Sequence, residues 1–339
     1  MTTEIEDSWL ALADAPPIDG LRFRRPRGDD ADYEARAALI AAANRVDEIL
    51  WVPTATNLRE EVESSPGLDI SRDIVLAEVD GRVVGDSTVE RVMRDGVATF
   101  EMDGHVLPEF RRRGLGGALF RENLRRATER ANEEPEGQGA VARTHTEETE
   151  IGHRALLAQH GFEPIRWFFL MHRSTAGDIP DAPLPDGLEL RPVTPDHHRA
   201  IFEAERDAFR DHWASREQTE EDFQLTYGRA ELDTDLWVVA WDGDEVAGVV
   251  QNWIWAEENA QLGVKRGWLE HISVRRPWRR RGVARAITAE ALRRLALAGM
   301  TDAMLGVDAD NPTGALGLYE SLGFDVEQRS QVYRLPLRG

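Results

Sequence analysis

Hydrophobic and polar residues follow the same succession of periods twice along the chain. A period of two predicts short strands at Leu21–Arg24 and Leu188–Pro192, and a helical period follows each of them. Asp80-Gly81 and Asp242-Gly243 each separate two strand-like runs, which predicts a β-hairpin at the same place in both halves. The predicted helices are 29–44 and 194–211, and the predicted hairpin strands are 74–79 with 83–92 and 236–241 with 245–255.

The second part of each half alternates strands with helices. A fourth strand is predicted at 97–107 and at 264–274, and a long helix follows at 114–131 and at 283–298. A buried strand (140–145 and 303–307), another helix, a Gly-Phe pair and a last strand complete each half. Three antiparallel strands followed by alternating helices and strands predict an α+β (mixed α/β) fold rather than a doubly wound parallel sheet.

Two matched landmarks indicate an internal repeat. Gly114 and Gly282 lie 168 residues apart (282 − 114), and the pairs that begin at Gly161 and Gly323 lie 162 residues apart (323 − 161). Because the two spacings are so similar, the chain is predicted to hold two tandem domains. A stretch rich in proline and aspartate between the halves is typical of a semi-extended linker. The predicted boundaries are 20–175 for the first domain, 176–187 for the linker and 188–339 for the second domain.

Composition narrows the class of protein. The formal net charge of −21 over 339 residues argues against a nucleic-acid partner, because Lys and Arg supply most of that affinity. The absence of cysteine excludes disulfides, thiolate metal sites and a cysteine nucleophile. No apolar run approaches the roughly 20 residues of a membrane-spanning helix, and the N-terminus lacks the basic and apolar regions of a signal peptide. We therefore expect a cytoplasmic protein without a membrane or nucleic-acid partner, either a monomer or a homodimer.

An arginine-rich loop precedes each long helix. The first loop reads RRRGLG from Arg111, and the second reads RRRGVA from Arg279. Gly and Ala let the backbone approach a ligand closely, and a helix N-terminus favours an anion. Neither loop has the Gly-Lys-Ser/Thr of a Walker A loop or the G-x-G-x-x-G of a Rossmann domain. The loops therefore predict sites for a ligand that contains a pyrophosphate.

Together with the block from Asn311 to Phe324, the two loops resemble the GNAT superfamily of N-acetyltransferases, whose domain would occur twice in this chain. The block reads Asn-Pro, four residues, Gly-Leu-Tyr-Glu, one residue, Leu-Gly-Phe. The tandem arrangement is similar to the mycothiol synthase branch. This resemblance implies two GNAT-type domains, each with a mostly antiparallel, splayed central sheet flanked by helices. It implies acetyl-CoA as cosubstrate and no metal. The residues that it assigns to CoA in the second half are Val274, Arg279, Arg280, Arg281, Gly282, Val283, Ala284 and Asn311.

The resemblance also implies two catalytic residues in the second half. Glu270 matches the strand carboxylate that acts as a base, and Tyr319 matches the tyrosine that protonates the departing thiolate. The alternatives are a salt-bridged carboxylate for Glu270 and a packed aromatic for Tyr319. By the two-residue period of a strand, Glu270 shares a face with Ile272 and Val274, so His271 is expected to face away as a structural histidine.

The first half lacks these catalytic residues. Alignment of the loops places Met102 opposite Glu270, and alignment of the Gly-Phe pairs places Leu157 opposite Tyr319 and Thr149 opposite Asn311. Glu101 and Asp103 lie on the other face of the strand in this register, and a slip of one residue would restore a carboxylate. The first loop itself is intact. The first domain is therefore predicted to be catalytically degenerate. Whether it binds a CoA ligand is left open, and the residues that would contact the ligand are Val106, Arg111, Arg113, Gly114 and Gly116.

The leading hypothesis is an acetyl-CoA-dependent N-acetyltransferase that acts in its second domain on the primary amine of a small, cationic molecule. Glu257 and Glu258, expected near the acceptor side with Glu270, would attract such a cation. Trp253 and Trp255 are either an enclosed aromatic acceptor pocket or ordinary core. The alternatives are a non-catalytic acyl-CoA-binding or regulatory protein and a protein N-acetyltransferase. The sequence identifies neither the acceptor nor the acyl-chain preference.

Overall fold

The computed structural model describes residues 9–210, Trp213, 218–228, 232–311 and 314–338. The chain divides into two compact units. One unit consists of residues 1–165 with 331–339, and the other consists of residues 166–330. The division differs from the predicted boundaries because residues 166–174, from the predicted first domain, pair with a strand of the second unit.

The first unit is a sheet with helices, in the predicted order. Its strands are β1 (Leu21–Arg24), β2 (Ile74–Val79), β3 (Arg82–Arg94), β4 (Val97–Val106) and β5 (Ala140–Glu147). Its helices are α1 (Asp30–Asp47), α2 (Ala55–Ser64), α3 (Ile70–Asp73), α4 (Leu115–Glu133) and α5 (Ile151–Gln159). Strands β1 to β4 are antiparallel neighbours, and β5 pairs with β4 in parallel.

The second unit repeats this plan. Its strands are β6 (Glu163–Ser174), β7 (Glu189–Leu190), β8 (Val238–Asp242), β9 (Glu245–Trp253), β10 (Arg266–Val274), β11 (Asp302–Asp308) and β12 (Asp325–Arg338), whose residues 331–338 belong to the first unit. Its helices are α6 (His198–Phe209), α7 (Glu220–Tyr227), α8 (Ala256–Leu262), α9 (Val283–Leu297) and α10 (Ala315–Ser321). The order of pairing is β6-β11-β10-β9-β8-β7, and only β10 and β11 pair in parallel.

The sheet of the second unit is buried on both faces. Successive side chains of β8 and β9 point to opposite faces, so each strand contributes buried residues to both. Val238 and Val250 pack with Ile287 of α9 on one face. Val239 and Val249 pack with α6 on the other. The sheet therefore holds α6 and α9 in fixed positions on opposite sides of β10, where the candidate site lies.

The α+β fold class is confirmed, and the element bounds are close to prediction. The structure adds helices for which the sequence analysis gave no bounds: α2 and α7 before the hairpins, and the short helices α3 and α8. Strand β9 ends at Trp253 rather than at residue 255, because α8 begins at Ala256. The predicted helix 194–211 begins with a 3₁₀ turn at Pro195–His197, followed by α6; Asp211 lies outside the described residues.

Candidate active site

A cavity of about 1610 Å³ opens where β10 separates from β11. The parallel pairing covers only Arg266 to Trp268 on β10. Beyond that point, residues 269–274 of β10 line one wall of the cavity, and Gly306, Val307 and Asp308 of β11 line another. The predicted splay of the two strands therefore creates the cavity, which is larger than the about 300–1,000 Å³ of a typical small-ligand pocket.

The second arginine-rich loop forms the end of the cavity at the N-terminus of α9. The first helical hydrogen bond of α9 runs from Ala286 N to Gly282 O at 3.1 Å, so the preceding N–H groups are not bonded within the helix. Such N–H groups and the helix dipole together favour an anion. Five arginines line the cavity in this otherwise acidic chain: Arg206, Arg210, Arg279, Arg280 and Arg285.

The cavity brings together most of the residues that the resemblance assigned to CoA. These are Val274, Arg279, Arg280, Gly282, Val283, Ala284 and Asn311. Arg279 Nε donates to the Val274 carbonyl at 2.9 Å, which ties the loop to the end of β10. Arg281 is exposed and is not among the described residues that line the cavity. Arg285 lines it but was not predicted, because it follows the last residue of the loop motif.

Both predicted catalytic side chains line this same cavity. Glu270 lies on β10, and burial raises the pKa of its carboxyl group. Tyr319 lies on α10, only 6% exposed, with its ring 6.2 Å from that of Phe324. Burial raises the pKa of the Tyr319 hydroxyl, so the phenol keeps its proton at neutral pH. The cavity thus contains a carboxyl group suited to accept a proton and a hydroxyl suited to donate one.

The expectation that His271 faces away from Glu270 is wrong. The register between β9 and β10 shifts between Glu270 and Ser273, and His271 has a φ of 48°. This β-bulge breaks the two-residue alternation and re-aims a side chain. His271 consequently lines the cavity together with Glu270.

The structure also shows a buried polar network that the sequence analysis missed. Glu205 of α6 is 3% exposed, and Gln251 Nε2 donates to its two carboxylate oxygens at 3.0 and 2.8 Å. The Tyr227 hydroxyl donates to Glu205 at 3.4 Å, and His271 Nδ1 lies 3.5 Å from Glu205 Oε1. No local motif marks Glu205, since it is one acidic residue of an amphipathic helix. The sequence feature that could have identified it is its position among the apolar residues of that helix.

Comparisons with known proteins agree with this geometry. Residues 198–324 match the model of the acetyltransferase (GNAT) family. The mycothiol acetyltransferase of Geodermatophilus obscurus is 28% identical over 302 residues, which are 88% of this chain and 92% of that protein. That of Catenulispora acidiphila is 27% identical over 323 residues, 92% of this chain and 97% of that protein. Residues 198–324 of this chain are a GNAT acetyltransferase domain.

Solved structures extend the GNAT similarity to both halves. A GCN5-related N-acetyltransferase from Sphaerobacter thermophilus superposes with a TM-score of 0.74 at 27% identity, covering 95% of this chain and 97% of that one. A tandem GNAT protein from the clavulanic acid biosynthesis pathway has a TM-score of 0.68 at 17% identity, covering 94% and 99%. The latter shows the shared fold alone. The chain is therefore an acyltransferase with the tandem GNAT architecture.

The first GNAT-like half has the loop but an apolar residue at the position of Tyr319. Phe162 N donates to the Leu157 carbonyl just as Phe324 N donates to that of Tyr319, each at 3.1 Å. Leu157 therefore occupies the position of Tyr319, as the sequence alignment predicted. Its buried side chain is a hydrocarbon and can neither donate nor accept a proton.

The strand that corresponds to β10 differs in register, and the sequence alignment of Met102 with Glu270 is wrong. Counted from the matched pairs Gly85–Val106 and Gly248–Val274, Asp103 stands opposite Glu270, because the bulge adds one residue to β10. Met102 pairs with Val89 and packs with Phe120 of α4 on the other face. The register of β3 and β4 is continuous from residue 85 to 94, so the bulge of the second unit has no counterpart in this pair. The two units thus differ in backbone as well as in side chains.

The two loops share a backbone conformation but differ in their surroundings. Gly114 and Gly282 have φ values of 90° and 87°. A Cβ built on Gly114 would lie 3.3 Å from Pro16 Cβ, whereas one on Gly282 would have no described heavy atom within 4 Å. Asp14, two residues before Pro16, forms an ion pair with Arg121 of α4 at 2.7 Å. The N-terminal segment therefore packs against the first loop, while the second loop is open.

Several other predicted features lie elsewhere. Trp253 stacks on Trp255 with ring centroids 5.5 Å apart and packs against Trp237. Trp255 is exposed, and neither Trp253 nor Trp255 is among the described residues that line the cavity. Glu257 is exposed and Glu258 is buried on α8, and neither is among the described residues that line the cavity.

The described residues also bear on metals and membranes. His197 and His198 contact aromatic rings, those of Trp241 and Tyr227, at 4.9 and 5.0 Å. His212, weighed with Asp211 as a metal ligand, lies outside the described residues. In the described part of the chain, no three His, Asp or Glu side chains are placed to hold a metal ion. Within the same residues, none of the helices has the length and apolar character needed to cross a membrane.

Proposed function

We propose that the second unit transfers an acetyl group from acetyl-CoA to the primary amine of a small, cationic acceptor. The observation that carries the proposal is the single cavity that holds an anion-binding helix N-terminus, Glu270 and Tyr319 together. The first unit has Leu157 at the position that corresponds to Tyr319 and serves as a supporting domain.

The residues of the cavity fit acetyl-CoA. The N–H groups at the start of α9 and the guanidinium groups of Arg279 and Arg280 suit a pyrophosphate, to which arginine binds with paired hydrogen bonds. The end of β10 at Val274 and the side chain of Asn311 line the path from this loop toward Glu270. The cavity exceeds the volume of a single drug-sized ligand, so it has room for a second molecule beside the CoA arm.

The chemistry follows from the two titratable side chains. An acceptor ammonium must lose a proton before its nitrogen can attack the thioester, and Glu270 takes that proton. The new C–N bond forms as the C–S bond breaks, and the departing thiolate takes the hydroxyl proton of Tyr319. The products are the acetylated amine and CoA thiol. Of the two protons that the amine nitrogen loses, one restores the Tyr319 hydroxyl and the other reaches solvent from Glu270.

A cationic small-molecule acceptor is supported by two observations. Glu270 and Glu205 are carboxylate-bearing side chains at or behind the wall of the cavity, and a carboxylate attracts an ammonium group. The relatives named mycothiol acetyltransferase point to a mycothiol-related amine within this class. Amino sugars, aminoglycosides, polyamines and amino-acid derivatives are the other candidates.

We expect the protein to release CoA thiol from acetyl-CoA only when a suitable amine is present. A panel with a mycothiol-related amine, amino sugars, aminoglycosides, polyamines and amino-acid esters, assayed by thiol titration, tests this expectation. At least one cationic amine should raise the rate at least tenfold over hydrolysis. Peptides with free N-termini serve as the comparison for a protein acetyltransferase. Release with peptides alone would contradict the small-molecule acceptor, and no release with any amine would favour the non-catalytic alternative.

A further inference from the structure

His271 is held in the cavity by a set of contacts that no sequence motif predicts. Its backbone lies in the left-handed region at φ 48°, which is strained for a residue other than glycine. Its side chain is 46% exposed, and its Nδ1 lies 3.5 Å from the buried carboxylate of Glu205. Phe209 packs edge-on against the imidazole, with ring centroids 5.8 Å apart. A strained, oriented histidine beside a reacting carboxyl group requires a functional explanation.

The internal repeat provides a control for this network. The arginine that begins each loop donates to a carbonyl of the first helix, Ala43 in the first unit at 3.4 Å and Ala208 in the second at 3.1 Å. Three residues before these alanines lie Ile40 and Glu205. The first unit has a buried isoleucine at this position, packed with Tyr33 and Leu58, so the fold does not need a carboxylate there.

The carboxylate of Glu205 replaces an apolar residue of the first unit. Counted from the matched pairs Gly85–Val106 and Gly248–Val274, its neighbours Gln251 and Glu270 stand where the first unit has Thr88 and Asp103. A buried carboxylate costs free energy unless it is hydrogen-bonded, and Gln251 and Tyr227 provide those bonds. The carboxylate of Glu205 and the bulge at His271 occur together in the unit with the cavity and with Tyr319, which favours a role in the reaction rather than in folding.

We propose that His271, positioned by Glu205, is a proton-relay residue of the acceptor site. This rests on the proposed function. Glu270 takes a proton from the acceptor ammonium, so an N–H bond breaks and an O–H bond forms. That proton then passes to the imidazole of His271, which restores the Glu270 carboxylate and forms an imidazolium paired with Glu205. The half-exposed imidazolium returns the proton to solvent.

The charged groups around His271 agree with this role. Glu205 on α6 raises the pKa of His271 by hydrogen bonding and charge, against the opposing effect of burial, and Glu270 on β10 raises it further. The charge of His271 in turn favours the ionised form of Glu270. Tyr227 of α7 acts only through its bond to Glu205, and Arg206 lines the same cavity. Glu270 and His271 are thus a coupled pair that titrates together.

Two variants and their combination test the relay by the pH dependence of kcat/KM. Glu205→Gln removes the charge that raises the pKa of His271. The acid limb of the profile, where kcat/KM falls as the pH is lowered, should therefore shift to lower pH. His271→Asn should lower kcat/KM about 10²-fold at neutral pH, at the low end of what proton transfer by one side chain contributes. In the His271→Asn background, Glu205→Gln should no longer move the limb, because the group through which it acts is gone.

A second readout does not depend on turnover. The titration of the His271 ring, followed by NMR and assigned by its absence in His271→Asn, should move to lower pH in Glu205→Gln. Asp302→Asn is the matched control, since it breaks another histidine–carboxylate pair (His172 Nε2 to Asp302 Oδ1, 2.7 Å) outside the described cavity lining, and it should leave the limb unchanged.

The possible failures are distinguishable. If no amine releases thiol, the proposed function fails, while the NMR titration still decides whether Glu205 controls His271. If turnover is present but His271→Asn retains the wild-type pH profile and rate, the relay is wrong. An unchanged His271 titration in Glu205→Gln, with acetyl-CoA binding intact as evidence of folding, would also overturn it.

Discussion

Replacing Glu270 with Gln should lower kcat by about 10²–10⁴-fold, because general-base catalysis by a positioned side chain contributes that much. Gln keeps the size of the side chain and can still donate and accept hydrogen bonds, so β10 and its bulge should remain. The amide cannot take the proton that the acceptor ammonium must lose. The measurement is steady-state thiol release at saturating acetyl-CoA, with the best amine of the panel.

The control for this variant is Glu257→Gln. Glu257 is an exposed carboxylate of the same unit, on α8, and is not among the described lining residues, so its removal changes the net charge equally without touching the cavity. We expect its kcat within twofold of wild type. A Glu270→Gln enzyme that turned over as fast as this control would remove Glu270 from the mechanism and leave it as a buried strand carboxylate.

Replacing Tyr319 with Phe should lower kcat by about one to three orders of magnitude and leave the affinity for acetyl-CoA nearly unchanged. The ring and its contact with Phe324 are retained, and only the hydroxyl that protonates the departing thiolate is lost. An interaction used only in the transition state affects kcat and kcat/KM equally. Steady-state kinetics together with calorimetric titration of acetyl-CoA separate the two effects.

The matched control is Tyr333→Phe. Tyr333 is also buried, 7% exposed, but it lies in the core of the first unit, where its hydroxyl donates to Gln331 at 2.8 Å. Loss of this hydroxyl should change stability slightly and the rate not at all. A Tyr319→Phe rate equal to that of the control would show that water or another group protonates the thiolate. In that case Tyr319 would be a packed aromatic only.

Local sequence signals predicted the fold well because each signal has a local physical cause. Strands β1 and β2 have the predicted bounds, since their period and flanking turn residues mark both ends. The helix that follows each glycine loop was also found, because Gly114 and Gly282 adopt the positive φ that the loop needs. The short helix α8 was missed, since seven residues give too few repeats of the helical period.

The candidate site was only partly predictable. Glu270, Tyr319 and the loop residues were found through a family motif, and the structure brings them to one cavity. His271 was misplaced because the two-residue alternation assumes a regular strand, and nothing in the sequence marks the bulge. Glu205 was missed because its partner Gln251 is 46 residues away in sequence, so the pairing depends on the packing of α6 on the sheet.

The central claim is that one unit binds acetyl-CoA and performs the reaction. Calorimetric titration of acetyl-CoA into wild type, Gly114→Trp and Gly282→Trp tests it most directly. The two glycines have nearly the same positive φ, so both variants carry similar backbone strain and each is the control for the other. The account predicts one site per chain, retained in Gly114→Trp and abolished in Gly282→Trp. Two sites, or a single site lost in Gly114→Trp and kept in Gly282→Trp, would contradict it.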